Sequence, residues 1–396
     1  MNKNNPLAIG EIKSFFPFHR ICLVKTLLLL VNCILVSNSC NLNKAKKKGS
    51  IVLGKVTKPE NVYKRFIRFF NMKGIEGFTI GVLQLVLHLI DSHLGEQHHY
   101  CFAIDRTNWQ LGRVNINILF IGYVLENGCF IPLYFSLLNK KGNSSQLERI
   151  SLFKELDWFF KQFTHINIVV VGDREFIGID WFCYLSNCHF DFVLRTRRKD
   201  YLKIIAKEYG WSVKKLEIKI RRSIRKRGYF VLPVTINGKT FYYHVSEKKA
   251  SDNLERTDPY IRFMSTSIDT LWVKQQYEKR WKIEVFFEDC KLKGFDMESI
   301  NFKEPGKIRL MVAICSLCYI LCIMEGEIQY RKKEPSLKID KKTNKVYKRV
   351  SYFTKGYEMI EQIIINIGQL ANYITQKLKS QIPINNEIIQ KRMYLF

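Results

Sequence analysis

The sequence lacks the cysteine pattern of a secreted disulfide scaffold. Its eleven cysteines are an odd number in a chain of 396 residues. They form no even, closely spaced set, which favours reduced thiols in the cytoplasm. Cys315 and Cys318 have the spacing of a metal knuckle, but an apolar run surrounds them and no second pair is present. A core helix is therefore favoured over a zinc site. Internal repeats and low-complexity segments are absent as well.

The apolar segment 21–36 is too short for an ordinary membrane span. It has 16 residues and includes Lys25 and Asn32, whereas a spanning helix needs about 20 mostly apolar residues. Lys13 and Arg20 before the run would suit a signal peptide, but no small-residue cleavage site follows cleanly. We predict a buried helix here. A membrane-inserted protein is the alternative that depends on this segment.

Acidic residues are scarce relative to basic ones. The chain has 36 Asp and Glu against 64 Lys and Arg, a net charge of +28. Such an excess attracts polyanions and supplies sequence-independent affinity for nucleic acid. Anionic lipid and the ribosome are other partners of basic proteins. The hydrophobic fraction of 47% fits a globular protein. The chain is long enough for one large core or for two to three ordinary domains.

The first 95 residues are expected to be helical. Thr57 and Glu60 match a capping box, with Pro59 in the first turn of a helix over 61–72. A second helix is expected over 80–94. Short helices with basic faces suit a DNA-binding module. A plain helical subdomain with a charged face is an equal alternative, because the segment shows no clean helix-turn-helix.

From residue 100 the pattern changes to strands and helices. The turn signal Glu126–Gly128 separates two of the strands. The predicted order is strands 100–105, 115–123 and 130–138, helix 145–163, strand 166–171, helix 178–187 and strand 190–194. This is the order of an α/β RNase H-like fold, with a mixed five-stranded sheet and flanking helices.

The rest of the chain divides into a β insertion and long helices. Residues 198–260 are basic and contain a hairpin signal at Asn237 and Gly238. The later elements are predicted as a strand at 260–266, helices at 269–293 and 307–324, an exposed basic linker at 331–349 and a helix at 356–379. We expect an N-terminal helical region, 1–95, a catalytic domain, 96–330, and a C-terminal linker and helix, 331–396.

One helix carries a stripe of polar side chains. Tyr277, Arg280, Glu284, Glu288 and Lys291 follow each other at spacings of 3, 4, 4 and 3 residues. At about 100° per residue they share one face of a helix. Taken alone, such a stripe is more often a solvated surface than a site.

Two aspartates change that balance. Asp105 and Asp173 each follow an apolar strand run, which places carboxylates at one end of a sheet. With Glu284 they make three carboxylates that can converge from two strands and a helix. Carboxylate oxygens suit Mg²⁺, and a pair of such ions supports phosphoryl displacement.

The stripe also resembles a known signature. Tyr277-x2-Arg280-x3-Glu284-x6-Lys291 is similar to that of the insertion-sequence-four family of bacterial DDE transposases. The surrounding segment YEKRWKIEVFFEDCKLKGF, the segment Ala103–Trp109 around Asp105 and the segment Gly172–Phe176 around Asp173 are similar to that family as well. The resemblance covers roughly residues 57–325.

The resemblance implies a transposase that cuts and rejoins DNA without a covalent protein intermediate. Asp105, Asp173 and Glu284 would hold two divalent ions, Mg²⁺ or Mn²⁺ in its place. Water would cleave the phosphodiester at the transposon end, and the resulting 3′-OH would attack further phosphodiesters. Tyr277, Arg280 and Lys291 would contact phosphates of the transposon end, as their donors allow. Trp281 would help hold a flipped base, with simple packing as an equal alternative.

The implied partners are DNA and a second copy of the chain. The DNA comprises inverted-repeat ends and target, and two synapsed ends imply a homodimer. Arg174 and Arg106 are candidates for either phosphate contacts or a local salt bridge with Glu175. His165, His189 and the pair His98 and His99 lack ligand-spaced partners. A DNA-binding protein that has lost catalysis is the alternative function.

Overall fold

A computed structural model describes residues 6–94, 99–111, 114–161, 167–248, 258–339 and 346–379. By contact, these residues form two compact units, each treated by itself below. The helical unit contains the described residues up to 94 together with 289–335 and 350–379. The sheet unit contains the described residues of 99–288 and 336–349.

The helices of the described residues are numbered in chain order. They are α1 (Pro6–Lys13), α2 (Ile21–Ser37), α3 (Leu42–Ala45), α4 (Gly49–Leu53), α5 (Pro59–Phe70), α6 (Ile75–Leu94), α7 (Gln146–Glu155), α8 (Asp157–Phe160), α9 (Ile179–Asn187), α10 (Leu202–Glu208), α11 (Val213–Arg227), α12 (Thr270–Lys279), α13 (Trp281–Glu288), α14 (Pro305–Lys332), α15 (Tyr352–Ile363) and α16 (Ile367–Lys379). A wider π-type turn follows α13 at Asp289–Lys293.

The strands are numbered in the same way. They are β1 (His99–Leu111), β2 (Val114–Val124), β3 (Phe130–Leu137), β4 (Asn167–Gly172), β5 (Asp191–Arg195), β6 (Tyr229–Ile236), β7 (Lys239–Glu247), β8 (Tyr260–Ser265), β9 (Leu337–Ile339) and β10 (Val346–Lys348).

The core of the helical unit forms around α14. Its side chains are buried without interruption from Leu310 to Gly326, and it packs against α2, α6 and α15. Gly326 and Gly356 let α14 and α15 approach closely, because a Cβ at either position would collide with backbone of the other helix. Cys315 and Cys318 are buried free thiols on α14, as predicted for a core helix.

Segment 21–36 forms the helix α2. Its residues 26–35 are all buried, as predicted for a core helix. By length and composition alone, α14 is able to cross a membrane. Two bent helix pairs, α2 with 42–53 and α5 with 75–90, also qualify if each pair is counted as one span. The most apolar window of α14 is 94% buried in the structure.

The capping box predicted at Thr57 is wrong. Helix α5 begins at Pro59, and its N-cap is Lys58, which makes no side-chain cap. The backbone of Thr57 is instead tied to Ser50: the Thr57 N–H donates to Ser50 Oγ at 3.1 Å, and that hydroxyl donates to the Thr57 carbonyl at 2.7 Å.

The large sheet has eight strands in the order β3-β2-β1-β4-β5-β8-β7-β6. Its first five strands pair as β3-β2-β1 antiparallel and β1-β4-β5 parallel. This mixed arrangement with flanking helices is consistent with an RNase H-like domain. The sheet has eight strands rather than the predicted five, because β8 pairs antiparallel with β5 and the insertion strands β7 and β6 follow β8 in the same sheet.

The basic segment after residue 198 is more helical than the sequence pattern predicted. Helices α10 and α11 precede the hairpin of β6 and β7. Asn237 and Gly238 turn that hairpin with φ of 50° and 74°, as an Asn-Gly turn requires.

Three segments predicted as single elements are divided. The helix predicted over 269–293 breaks at Arg280 into α12 and α13. The one predicted over 145–163 is split into α7 and α8, and its last two residues lie outside the described ones. The helix predicted over 356–379 is interrupted between α15 and α16. The predicted linker contains the small hairpin of β9 and β10.

Candidate active site

The register of β1 and β4 brings two aspartates together. These parallel strands pair Ala103 with Val171 and Ile104 with Gly172. The next residues are Asp105 and Asp173, whose carboxyl groups are close enough to interact electrostatically. Asp173 follows the end of β4, as predicted. The prediction that Asp105 ends its strand is wrong, because β1 continues to Leu111 in antiparallel pairing with β2.

Glu284 reaches the same cluster through Arg280. Arg280 Nη1 lies 3.0 Å from Asp105 Oδ2, and Arg280 Nη2 lies 2.6 Å from Glu284 Oε1. The guanidinium is buried, with a side-chain exposure of 9%, whereas Glu284 keeps 35%. Arg280 sits at the junction of α12 and α13, and Glu284 follows one turn later. A single buried cation therefore joins a strand carboxylate to a helix carboxylate.

Asp173 is held by two further donors. The Tyr277 hydroxyl donates to Asp173 Oδ1 at 3.1 Å, and Arg195 Nη1 lies 3.4 Å from the same oxygen. The Tyr277 ring packs on Phe263 with centroids 4.8 Å apart. Arg195 was not singled out from the sequence. The feature that could have pointed to Arg195 is its position at the end of β5, the strand that pairs in parallel with β4.

Burial and charge separate the two aspartates. Burial raises the pKa of Asp105 to about 7, although Arg280 and the Arg106 backbone N–H oppose the rise. For Asp173 burial also acts upward, but Arg280, the Arg174 backbone N–H and Arg195 outweigh it, so its pKa is lowered. Burial raises the pKa of the Tyr277 phenol to about 12, which keeps the hydroxyl protonated as a donor. The nearby carboxylates and the Tyr277 phenol raise the pKa of Arg280, against the effect of burial.

A second ion pair, between Arg106 and Glu175, lies next to the cluster. Arg106 grips Glu175 with two N–H groups, each 3.2 Å from a carboxylate oxygen. Its third contact is to Asn117 Oδ1 at 3.0 Å, and its backbone N–H donates to Asp105 Oδ1 at 2.7 Å. The salt-bridge alternative predicted for this region thus holds for Arg106, which pairs with Glu175 just beyond the end of the neighbouring strand β4.

A comparison with protein-family models identifies the class of protein. A family described as a transposase DDE domain matches residues 119–321, slightly more than half of the chain. The chain belongs to this family. No curated protein matched the chain in a separate comparison. Membership makes the protein a transposase, which implies DNA binding and nuclease chemistry in transposition and DNA recombination. The matched segment contains Asp173 and Glu284, and Asp105 precedes it.

The remaining predicted DNA contacts are distributed over both units of the transposase. Trp281 is 59% exposed, so the structure does not use its indole as core packing. Lys291 belongs to the helical unit, where its ammonium lies 2.9 Å from Glu298. His98 and His165 lie outside the described residues.

The oxygen atoms of the cluster are of the type that a divalent cation binds. DDE transposases generally use divalent metal ions, and carboxylate oxygens are the ligands that Mg²⁺ prefers. Among the described residues, no group of three or more His, Cys, Asp or Glu stands in a ligating arrangement. The guanidinium of Arg280 instead lies between Asp105 and Glu284 and contacts both carboxylates. Three carboxylates that stabilise one cation supply the negative field that a metal ion needs.

Proposed function

We propose that this transposase cleaves DNA at the ends of its own mobile element and joins those ends to target DNA, using Mg²⁺. Asp105, Asp173 and Glu284 are its catalytic and metal-binding carboxylates. The observation that carries the proposal is the register that aligns Asp105 with Asp173 while Arg280 draws Glu284 to Asp105. The Tyr-Arg-Glu-Lys signature supports assignment to the insertion-sequence-four family.

Two phosphoryl transfers make up the reaction. In the first, a water oxygen bonds to phosphorus and the bond from phosphorus to the 3′ oxygen breaks, leaving a 3′-OH and a 5′-phosphate. In the second, that 3′-OH attacks a phosphodiester and releases a new 3′-OH, with one proton lost and one gained. When bound, divalent ions would activate the attacking oxygen and stabilise the leaving oxygen.

The chain's own residues orient the carboxylates. Asp105 is fixed by the backbone N–H of Arg106 at 2.7 Å, and Asp173 by the Tyr277 hydroxyl at 3.1 Å. The single positive charge of Arg280 offsets part of the negative charge of Asp105 and Glu284. In the reaction, Tyr277, Arg280 and Lys291 contact phosphates of the transposon end and Trp281 stacks on a base. The exposure of the Trp281 indole supports this stacking role, because base stacking requires an accessible aromatic face.

The partners follow from the reaction. The transposase binds inverted-repeat ends and target DNA, and two copies of the chain pair two ends in a synaptic complex. The N-terminal helical region, residues 1–95, takes part in end recognition. The protein acts in the cytoplasm on the nucleoid. Mass photometry of the full chain with and without end DNA tests the pairing. A complex with one protomer at saturating DNA would contradict it.

The reaction itself is tested on DNA carrying the short inverted repeats that we expect just outside the gene. The full-length protein is incubated with this DNA in Mg²⁺ and, separately, in EDTA. We expect strand cuts at the repeat ends only with Mg²⁺, leaving 3′-OH groups that a DNA polymerase extends. Binding of the ends without any cut in Mg²⁺ or Mn²⁺ would contradict the enzymatic proposal and favour a DNA-binding protein that has lost catalysis.

A further inference from the structure

A cationic cavity opens beside Asp173 in the sheet unit. It has a volume of about 560 Å³. Its lining contains eight basic side chains and two acidic ones, Glu217 and Asp258. Two of the lining residues, Arg174 and Arg195, connect it with the carboxylate cluster. Arg174 follows Asp173 in sequence, and Arg195 Nη1 lies 3.4 Å from Asp173 Oδ1.

The two acids of the lining neutralise only part of this charge. Glu217 pairs with Arg198 at 2.8 Å, and Asp258 pairs with the buried Arg262 at 3.1 Å. Among the described residues, no ion pair joins Arg197, Lys199 or Lys203 to a carboxylate. All three are exposed, so their charges face whatever enters the cavity.

The chemistry of the lining favours one strand of a nucleic acid. Tyr260 also lines the cavity, with the Arg262 guanidinium 5.8 Å from its ring centroid. Cations along a groove with an aromatic ring are the usual means of holding single-stranded DNA.

We propose that this cavity binds the phosphates of the single DNA strand that continues from the phosphodiester at the carboxylate cluster. Arg197, Lys199 and Lys203 contact the strand's phosphates, and Tyr260 stacks on one of its bases. The cavity thereby holds the strand in line after it has been cut. This inference rests on the proposed function for the origin of the strand. Binding itself needs neither metal nor catalysis.

Fluorescence anisotropy with a labelled oligothymidine of about ten nucleotides tests the proposal, in EDTA and over a series of salt concentrations. The cavity variant carries Arg197→Gln, Lys199→Gln and Lys203→Gln. The matched control carries Lys154→Gln, Lys161→Gln and Lys207→Gln. It removes the same charge at exposed positions outside the lining, and Lys207 lies on the same helix as Lys203. A third variant, with Lys199→Arg and Lys203→Arg, keeps the charge and should therefore keep the affinity.

We expect the Kd of the cavity variant to be at least ~10-fold higher than that of the wild type. The slope of log K against log salt should become shallower by about 2, because each of the three lost phosphate contacts contributes about 0.7 on a single strand. The control should retain most of the affinity, and Lys199→Arg with Lys203→Arg should bind as the wild type does. Equal losses in cavity variant and control would overturn the proposal, since only net charge would then matter.

Cleavage assays on the same preparations separate this proposal from the proposed function. If the wild-type protein cuts its ends but the cavity variant keeps wild-type affinity for the single strand, only the proposal for the cavity is contradicted. If the cavity variant loses affinity but the wild-type protein cuts no DNA, the proposal for the cavity is supported and the catalytic proposal is contradicted.

Discussion

Arg280 joins two of the three carboxylates of the cluster. It contacts Asp105 and Glu284 at once and is almost fully buried. A buried cation between two acids compensates charges that would otherwise repel each other. The same cluster therefore favours either this guanidinium or another cation. We propose that this side chain contacts DNA in the reaction, and in the structure it binds two carboxylates.

Replacing Arg280 should destabilise the protein and increase its response to metal. In Arg280→Gln two carboxylates lose their counter-charge, and we expect a loss of about 2–4 kcal/mol, below the usual ~3–5 for a broken buried pair because Glu284 is 35% exposed. Urea unfolding in EDTA measures it, with Lys279→Gln as control. Adding Mn²⁺ should stabilise the variant more than the wild type. Equal stability and equal Mn²⁺ responses would contradict this role.

The raised pKa of Asp105 predicts a pH-dependent stability. Burial places that pKa at about 7 in the folded protein, against about 3.9 in an unfolded chain. Between these values the folded state keeps a proton that the unfolded state has released. The free energy of unfolding therefore falls as pH rises from about 4 to about 7.

Asp105→Asn removes this titration. We expect the unfolding free energy of wild type minus that of Asp105→Asn, measured in urea with EDTA, to decrease through the same interval and to level off above about pH 7. A difference that stays constant with pH would show that Asp105 titrates normally.

At the scale of elements, the end of β4 fixes the position of Asp173. A Cβ at Gly172 would lie 3.0 Å from Leu194 Cδ2, 3.0 Å from Phe176 Cβ and 3.2 Å from Ile104 Cγ2. These neighbours belong to the two adjacent strands and to the turn after β4. The absence of a side chain at Gly172 lets the strands close around the point where the two aspartates emerge.

Gly172→Ala should therefore cost stability and disturb the site. We expect about 1–3 kcal/mol in urea unfolding, as for other overpacked positions, and a lower rate of strand cleavage. Gly10→Ala is the matched control, because a Cβ there meets no atom within 4 Å. Wild-type stability and cleavage in Gly172→Ala would show that the end of β4 accommodates a Cβ at this position.

Much of the element order was predictable from local patterns. Apolar runs followed by turn signals marked β1 to β5, and the Asn-Gly turn marked the hairpin of β6 and β7. The break at Arg280 was not predictable, because the polar stripe keeps its helical spacing across it. Helix α11 was missed because its basic residues obscure the buried face of Leu216, Ile220 and Ile224. The contact of Arg195 with Asp173 depends on strand order, which local patterns do not encode.

At the scale of the whole molecule, the positive charge is the dominant property. The net charge of +28 includes dense local sources, such as eight Lys and Arg in the 15 residues of α11. Glu217 is the one acid in that helix. This distribution suits a protein that holds the backbones of ends and target.

Duplex binding should accordingly depend steeply on salt. With about six to ten phosphate contacts, affinity for a duplex without the end sequence should fall ~10³- to 10⁵-fold between about 50 and 200 mM salt. Fluorescence anisotropy with the wild-type chain measures it. An affinity that changes only severalfold over this range would show that the excess charge is not used on DNA phosphates.

The central claim is that Asp105, Asp173 and Glu284 perform the chemistry together. The most direct measurement is Mg²⁺-dependent strand cleavage of element-end DNA by Asp105→Asn, Asp173→Asn and Glu284→Gln, each beside the wild type. Glu278→Gln, an exposed acid on α12, is the control. We predict that all three variants bind the ends, that none cuts them, and that the control cuts as the wild type does. Wild-type cleavage by any one of the three would contradict the assignment.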